Sequence, residues 1–277
     1  MKKSKRVVFL AFMILMFGGS VISNAISKAS AASSSSDRNV ALIVQGNSDK
    51  RFLRDTFEMS KTLREEYGFS NIYSIGPSTP GFSVAKILTM INTIANTRSY
   101  DQVVIFWAGH GNIDRFAVNT EVLYANQLDN ALDAISCEKM IIFLGPCHSG
   151  SFIDNLNDNQ NRAIYTSCAY NQIAFSYYSH SLWTWGIYSG LDFDLDGHDV
   201  DTNNNGLISL KELHDYSDDF IREKYVDYVF DPNADDDLLK IVDPMSIPQT
   251  PQRWVGSSFG SDSNFYLGTS GQVIDPR

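Results

Sequence analysis

Residues 141–152 read IIFLGPCHSGSF, and residues 103–112 read VVIFWAGHGN. Each opens on an apolar run of strand length, rich in β-branched and aromatic residues, and then breaks at glycine. This is the pattern of a strand buried on both faces of a parallel sheet. Each run then presents one reactive side chain at its carboxyl end, His110 in the earlier and Cys147 in the later. In an open α/β sheet, neighbouring parallel strands bring their carboxyl ends to one crevice, so a base and a thiol are expected to meet there.

Working outward, the same alternation recurs. Residues 40–45 (VALIVQ) form a buried strand, and residues 52–67 repeat apolar positions at helical spacing until Gly68. Residues 71–75 read as a second strand, 84–94 as an amphipathic helix and 123–135 as another, leading into the Cys147 strand. A short helix is expected to begin near Cys147, a fifth strand spans 163–167, and an aromatic-rich helix covers 181–191. Strand and helix alternate through four units, so the fold class is α/β: a mostly parallel, doubly wound sheet with helices on both faces. In the tail, residues 253–255 and 264–267 are strand-like pieces able to close a sheet edge.

The chain has 277 residues, 43% hydrophobic and 12% aromatic, enough for one large domain, here residues 39–277. Lys2, Lys3, Lys5 and Arg6 precede an apolar run, and Ala29, Ser30 and Ala31 supply the small residues of a cleavage site. Residues 1–31 therefore read as a signal peptide. Ser20, Ser23 and Asn24 interrupt the run before the roughly 20 apolar residues a membrane anchor needs. A secreted or extracytoplasmic protein is expected, with no stable membrane association after signal removal and with residues 32–38 as a flexible linker or short pro-segment. Those four residues and Lys28 are the leader's only charges, so its loss moves the formal charge from −10 to −15. Such an acidic surface argues against nucleic acid as a partner and in favour of cations. Three cysteines leave at least one thiol unpaired within the chain; a Cys137–Cys168 pair would leave Cys147 free.

A thiol near a helix start and a histidine becomes a usable nucleophile. Gly109 and Gly111 flank His110 and leave its backbone open, and the N–H groups of Gly111 and Cys147 are candidates for an oxyanion hole. The bland reading makes Cys147 a small buried hydrophobe and His110 a turn residue. A hydrolase-type nucleophile elbow fails because Ser149 stands where its second glycine belongs. Zinc on Cys147, His148 and His110 lacks a fourth ligand at the usual spacing.

The pair of apolar strands, one ending in His110-Gly111 and the other in Cys147 followed by Ser149-Gly150-Ser151, resembles the catalytic core of caspase-fold (clan CD) cysteine peptidases, the legumain-like branch in particular. The resemblance covers about residues 39–191 and implies a three-layer caspase-like fold. It also implies His110 as general base and acid, Cys147 as nucleophile, and protein or peptide substrates. Where that family usually has an acidic residue shortly before its cysteine, this chain has Gly145-Pro146. By the same resemblance Arg51, just after the first strand, would line the pocket for the residue before the cut and favour Asn or Asp. Ser167 is a second substrate-binding candidate, and acidic residues after Leu191 would instead suit Lys or Arg. A transpeptidase of the same chemistry and a catalytically silent, calcium-dependent binding module are the alternatives.

The insertion at residues 192–212 carries a further motif. Asp201, Asn203 and Asn205 stand at the first, third and fifth positions of a twelve-residue EF-hand-like loop, with Gly206 at the sixth and Glu212 at the twelfth. Leu207 would add its carbonyl and Ser209 a hydroxyl, directly or through water, to hold a structural Ca²⁺. No helix is expected before the loop, only one after it, and the family analogy places the insertion near the substrate groove.

Overall fold

The computed structural model describes residues 38–177, 179–230 and 249–268; the leader and residues 32–37 lie outside them. Strand β1 (Asn39–Gln45) leads to α1 (Lys50–Glu65), β2 (Asn71–Ile75), α2 (Val84–Thr97) and β3 (Tyr100–Ala108). Three short strands follow, β4 (Gly111–Asn112), β5 (Arg115–Val118) and β6 (Glu121–Tyr124), then α3 (Ala125–Leu132) and β7 (Cys137–Leu144). A 3-10 turn (Ser149–Phe152) continues into α4 (Ile153–Leu156) and β8 (Arg162–Thr166). The hairpin β9 (Ser176–Tyr177) and β10 (His180–Ser181) opens into α5 (Leu182–Leu191), α6 (Gly197–Val200), α7 (Leu210–Phe230) and β11 (Gln252–Val255).

The main sheet runs in the order β11-β8-β7-β3-β1-β2. Its first five strands in sequence are parallel and β11 closes the β8 edge antiparallel, Trp254 opposite Ile164. The tail piece at 253–255 thus closes the edge as read from the sequence. Residues 264–267 do not: they give a 3-10 turn (Asp262–Asn264) and a single bridge from Tyr266 to Ser209.

Strand alternation sorts the core into two layers. Ala41, Ile43, Val104, Phe106, Ile141 and Phe143 face Phe52, Met59 and Leu63 of α1, together with Trp183 and Ile187 of α5. Val40, Leu42, Val103, Ile105, Trp107 and Ile142 face Ile87 and Ile91 of α2 and Leu128 and Leu132 of α3. A strand apolar at every position can be stable only with helices covering both sides, at about 1.5–3 kcal/mol per fully buried Val, Leu or Ile. Three layers result, as expected.

The sequence reading ran one helix through residues 123–135. The chain instead makes the antiparallel β4-β5-β6 excursion first, and α3 begins only at Ala125. The tight reversals at Asp114 (φ 54°) and Asn119 (φ 50°) make it possible, residues whose short polar side chains tolerate the left-handed region. Strands this short carry no readable period. At the lower edge, buried Arg162 bonds Asp129 (2.6 Å) and Asp133 (2.9 Å) and tethers α3 to β8.

Candidate active site

Trp107 of β3 and Leu144 of β7 are register partners, and His110 and Cys147 each stand three residues beyond them. Gly145 N–H donates to Trp107 O at 2.9 Å, extending the pairing past the strand ends. The two turns then touch. A Cβ built on Gly111 would lie 2.7 Å from Pro146 Cβ and 2.8 Å from Cys147 O, so only glycine permits this approach. Ala117 N–H donates to His110 O, which makes Gly111 and Phe116 a non-hydrogen-bonded pair; the Gly111 N–H therefore turns away from β5. The exposed His110 ring stands edge-on to Phe52 at 5.0 Å between centroids and 86° between planes.

Around Cys147 the geometry departs from a simple strand-to-helix turn. His148 takes φ 58°, a left-handed backbone costly for a residue of this kind. It is held there by its own N–H on Gln172 O (2.9 Å) and by its ring on Tyr170 O (2.9 Å). The expected helix at Cys147 is one 3-10 turn and then the four-residue α4, too short for a sizeable dipole. A backbone group stands beside the sulfur instead: Ala174 N–H donates to Cys147 Sγ at 3.3 Å. Gln249, nearly inaccessible, clamps this segment, its Oε1 accepting Phe175 N–H (2.7 Å) and its Nε2 donating to Ser167 O (3.0 Å).

Arg51 and Ser167, paired as candidates from the sequence, fall in different places. Ser167 is fully buried and donates to Pro146 O at 2.9 Å, beneath the peptide that leads into Cys147. Arg51 stays partly exposed. It forms a bidentate pair with Asp49 and donates from Nη1 to Ser176 Oγ at 2.6 Å. Hydrogen bonds from the Arg51 side chain hold the Asp49 carboxyl below its ordinary pKa, with a smaller contribution from nearby His110. Behind them Asp55 is fully buried, and neither of its oxygens makes a well-formed hydrogen bond, although Ser181 and Thr184 approach it. Burial pushes its pKa up to about 7.

Asp49, Ala174, Ser176 and Gln249 were not picked from the sequence. Only Asp49 had a local signal, an Asp just ahead of a helical run, which is an N-cap. The three cysteines are all free: Cys137 opens β7, while Cys168 follows the far end of β8.

The EF-hand-like loop is folded upon itself. Asp201 Oδ1 and Oδ2 accept the N–H groups of Asn205 (3.1 Å) and Gly206 (2.7 Å), and Glu212 Oε1 receives Asn203 Nδ2 at 2.7 Å. Burial raises the Glu212 pKa, but hydrogen bonds led by the Ser209 backbone outweigh it and leave the carboxyl below its usual value. The third and twelfth positions thus meet through Asn203 and Glu212, while the first, Asp201, is bonded to the fifth and sixth. Contrary to expectation, one turn of helix, α6, does precede the loop.

Its location is a second correction. Ser209 bridges to Tyr266, and the same tail reaches Gln102, whose Nε2 donates to Gly268 O at 2.7 Å. Gln102 lies near the amino end of β3, and His110 lies just past its carboxyl end, roughly 25 Å away at about 3.3 Å per residue. The loop therefore sits at the rim opposite the candidate dyad, because the tail that anchors it pairs at the strands' amino ends.

Among the described residues no helix is long and apolar enough to cross a membrane. The peptidase C13 family model matches residues 84–226, more than half of the chain and inclusive of both His110 and Cys147. A structural-genomics crystal structure of a protein from Geobacter sulfurreducens superposes with a TM-score of 0.53 at 14% identity, over 86% of this chain and 99% of that one, a likeness of fold alone. A comparison with curated proteins finds no matching sequence.

Proposed function

Because the chain belongs to the peptidase C13 (legumain) family, whose members are cysteine peptidases or transpeptidases, we propose that it is a secreted cysteine endopeptidase with a Cys147/His110 dyad that cuts after Asn or Asp. The observation that carries this reading is the packing of Gly111 against Pro146 and Cys147, which joins the histidine's turn to the nucleophile's own peptide.

In the proposed reaction Cys147 Sγ attacks the scissile carbonyl and its proton passes to His110. The N–H groups of Gly111 and Cys147 receive the oxyanion. His110 then protonates the departing amine, leaving a thioester on Cys147. Water, deprotonated by His110, releases the acid product and restores the thiol. The Ala174 N–H lies at 3.3 Å from the sulfur, close enough to help orient it for attack. Where an amine replaces that water the outcome is transpeptidation, and product masses with an added amine acceptor distinguish the two.

Arg51 supports the specificity. With Nε and one hydrogen each on Nη1 and Nη2 engaged by Asp49 and Ser176, it keeps two N–H donors for an incoming side-chain oxygen. Fluorogenic peptides varied at the residue before the cut test the whole reading. Cleavage after Asn or Asp by the wild type and none by Cys147→Ala is the expected result; cleavage surviving in Cys147→Ala defeats it.

Asp201, Asn203, Asn205, Leu207, Ser209 and Glu212 would hold Ca²⁺, which would offset the repulsion among the acids of this insertion and order it. At the rim away from the dyad its role is stability. The leader at residues 1–31 supports export.

A further inference from the structure

The guanidinium of Arg51 does not stand as a free positive charge. Asp49 Oδ1 caps α1 by accepting the Arg51 backbone N–H at 2.9 Å, and the same carboxylate takes Arg51 Nε at 3.1 and 3.2 Å and Nη2 at 2.6 Å. An unpaired guanidinium draws a carboxylate more strongly than an amide, through charge-assisted, bidentate bonding. One that already holds a bidentate carboxylate is close to neutral, and a second carboxylate brought to it meets the first.

We propose that Asp49 is a specificity-determining residue of the substrate pocket: by cancelling the charge of Arg51 it fits the two remaining N–H donors to the neutral amide oxygen of Asn and disfavours the carboxylate of Asp. This deepens the reading of Arg51 as pocket wall and rests on it. Three observations support it. The side chains of both partners are about 70% buried, so solvent screens the pair only in part. Ser176 fixes the guanidinium from its other side, so it cannot swing away from Asp49 to greet a new anion. Among the described residues the other carboxyl that acts on Arg51, Asp55, has its pKa pushed up to about 7 by burial and carries little charge in mildly acidic solution, which leaves Asp49 as the compensating anion of that pair.

The experiment compares two peptides, identical except for Asn or Asp before the cut, at pH 5.5 with the wild type, Asp49→Asn and Arg51→Leu. Asparagine is itself a good N-cap, so Asp49→Asn removes the charge while α1 keeps its start. The wild type is expected to favour the Asn peptide in kcat/KM by about tenfold or more, and Asp49→Asn to move that ratio toward Asp by at least about tenfold, chiefly through KM, the scale expected for a like charge a few ångströms away. An unchanged ratio overturns the proposal. Arg51→Leu that keeps the wild-type preference would instead sink the pocket reading itself. Should Asp49→Asn fail to turn over, binding of product peptides ending in Asn or Asp to the Cys147→Ala protein, with and without Asp49→Asn, reads the same ratio; equal ratios in the two backgrounds again overturn it.

Discussion

The two rims of the sheet are built on different principles. At the carboxyl rim the turns after β1, β3 and β7 pack so tightly that Gly111 has no space for a Cβ, His148 is held in a left-handed backbone, and Asp55 is buried without good hydrogen bonds. At the amino rim the EF-hand-like loop satisfies its own polar groups, and Gln102 ties down the tail through both its amide oxygen and nitrogen. The carboxyl rim tolerates strain and a buried carboxyl where chemistry is proposed; at the amino rim the loop and the tail are tied down by their own hydrogen bonds, although Asn39 Nδ2 and Arg162 Nε are buried there without partners.

The strongest way to break this contrast is at Cys147. Cys147→Ala is expected to lower kcat/KM by about 10⁴-fold or more while the melting temperature stays within about 2 °C of the wild type. His110→Ala should cost about 10²- to 10⁴-fold, again with little change in melting, since its ring is exposed. A large loss of stability in either variant would mean that the dyad is part of the scaffold.

Asp55 sharpens the contrast from the other direction, as a group of the carboxyl rim expected to affect stability. The folded state holds its proton up to about pH 7, whereas the unfolded chain releases it near 4. Between those values the native protein binds more protons than the unfolded one, so stability falls as pH rises through this window, by on the order of 2–4 kcal/mol in all. Denaturant titrations at pH 5 and pH 8 should show the fall in the wild type, and Asp55→Asn should flatten it. An identical pH slope in the variant would assign the loss to another group.

The smallest expected effect is at the amino rim. Chelation should remove about 2–3 kcal/mol, roughly 5–10 °C in melting temperature, if calcium is supplied near 100 times its dissociation constant. Activity at 25 °C should change by less than about twofold. Glu212→Gln should lower the melting temperature similarly and abolish the response to EDTA. Activity collapsing on chelation while the fold persists would show that the rims communicate.

Local pattern made much of this legible. VALIVQ, VVIFWAGHGN and IIFLGPCHSGSF are apolar without interruption, and such runs demand cover on both faces, so the layered sheet and the neighbouring His110 and Cys147 followed from the letters. The β4-β5-β6 excursion did not, because two- to four-residue strands have no period to detect. Ser167 was misplaced for a different reason: its position at a strand end was right, but whether a hydroxyl there faces the cleft or the peptide of Pro146 depends on β7 beside it. Ala174 and Gln249 act through backbone contacts to distant segments, and nothing in their own neighbourhood of sequence announces them.

By itself the sequence determined the strands, the His110 and Cys147 turns that end two of them, and the pattern of residues 201–212, because each is written in residues close together and in chemistry that local spacing dictates. The tertiary structure alone decided that Arg51 meets Asp49 and Ser176, that a backbone N–H stands beside the thiol, and that the loop lies at the far rim. Those outcomes turn on pairings such as Arg51 with Ser176 and Gln102 with Gly268, which lie far apart in the chain and adjacent only once the sheet has formed.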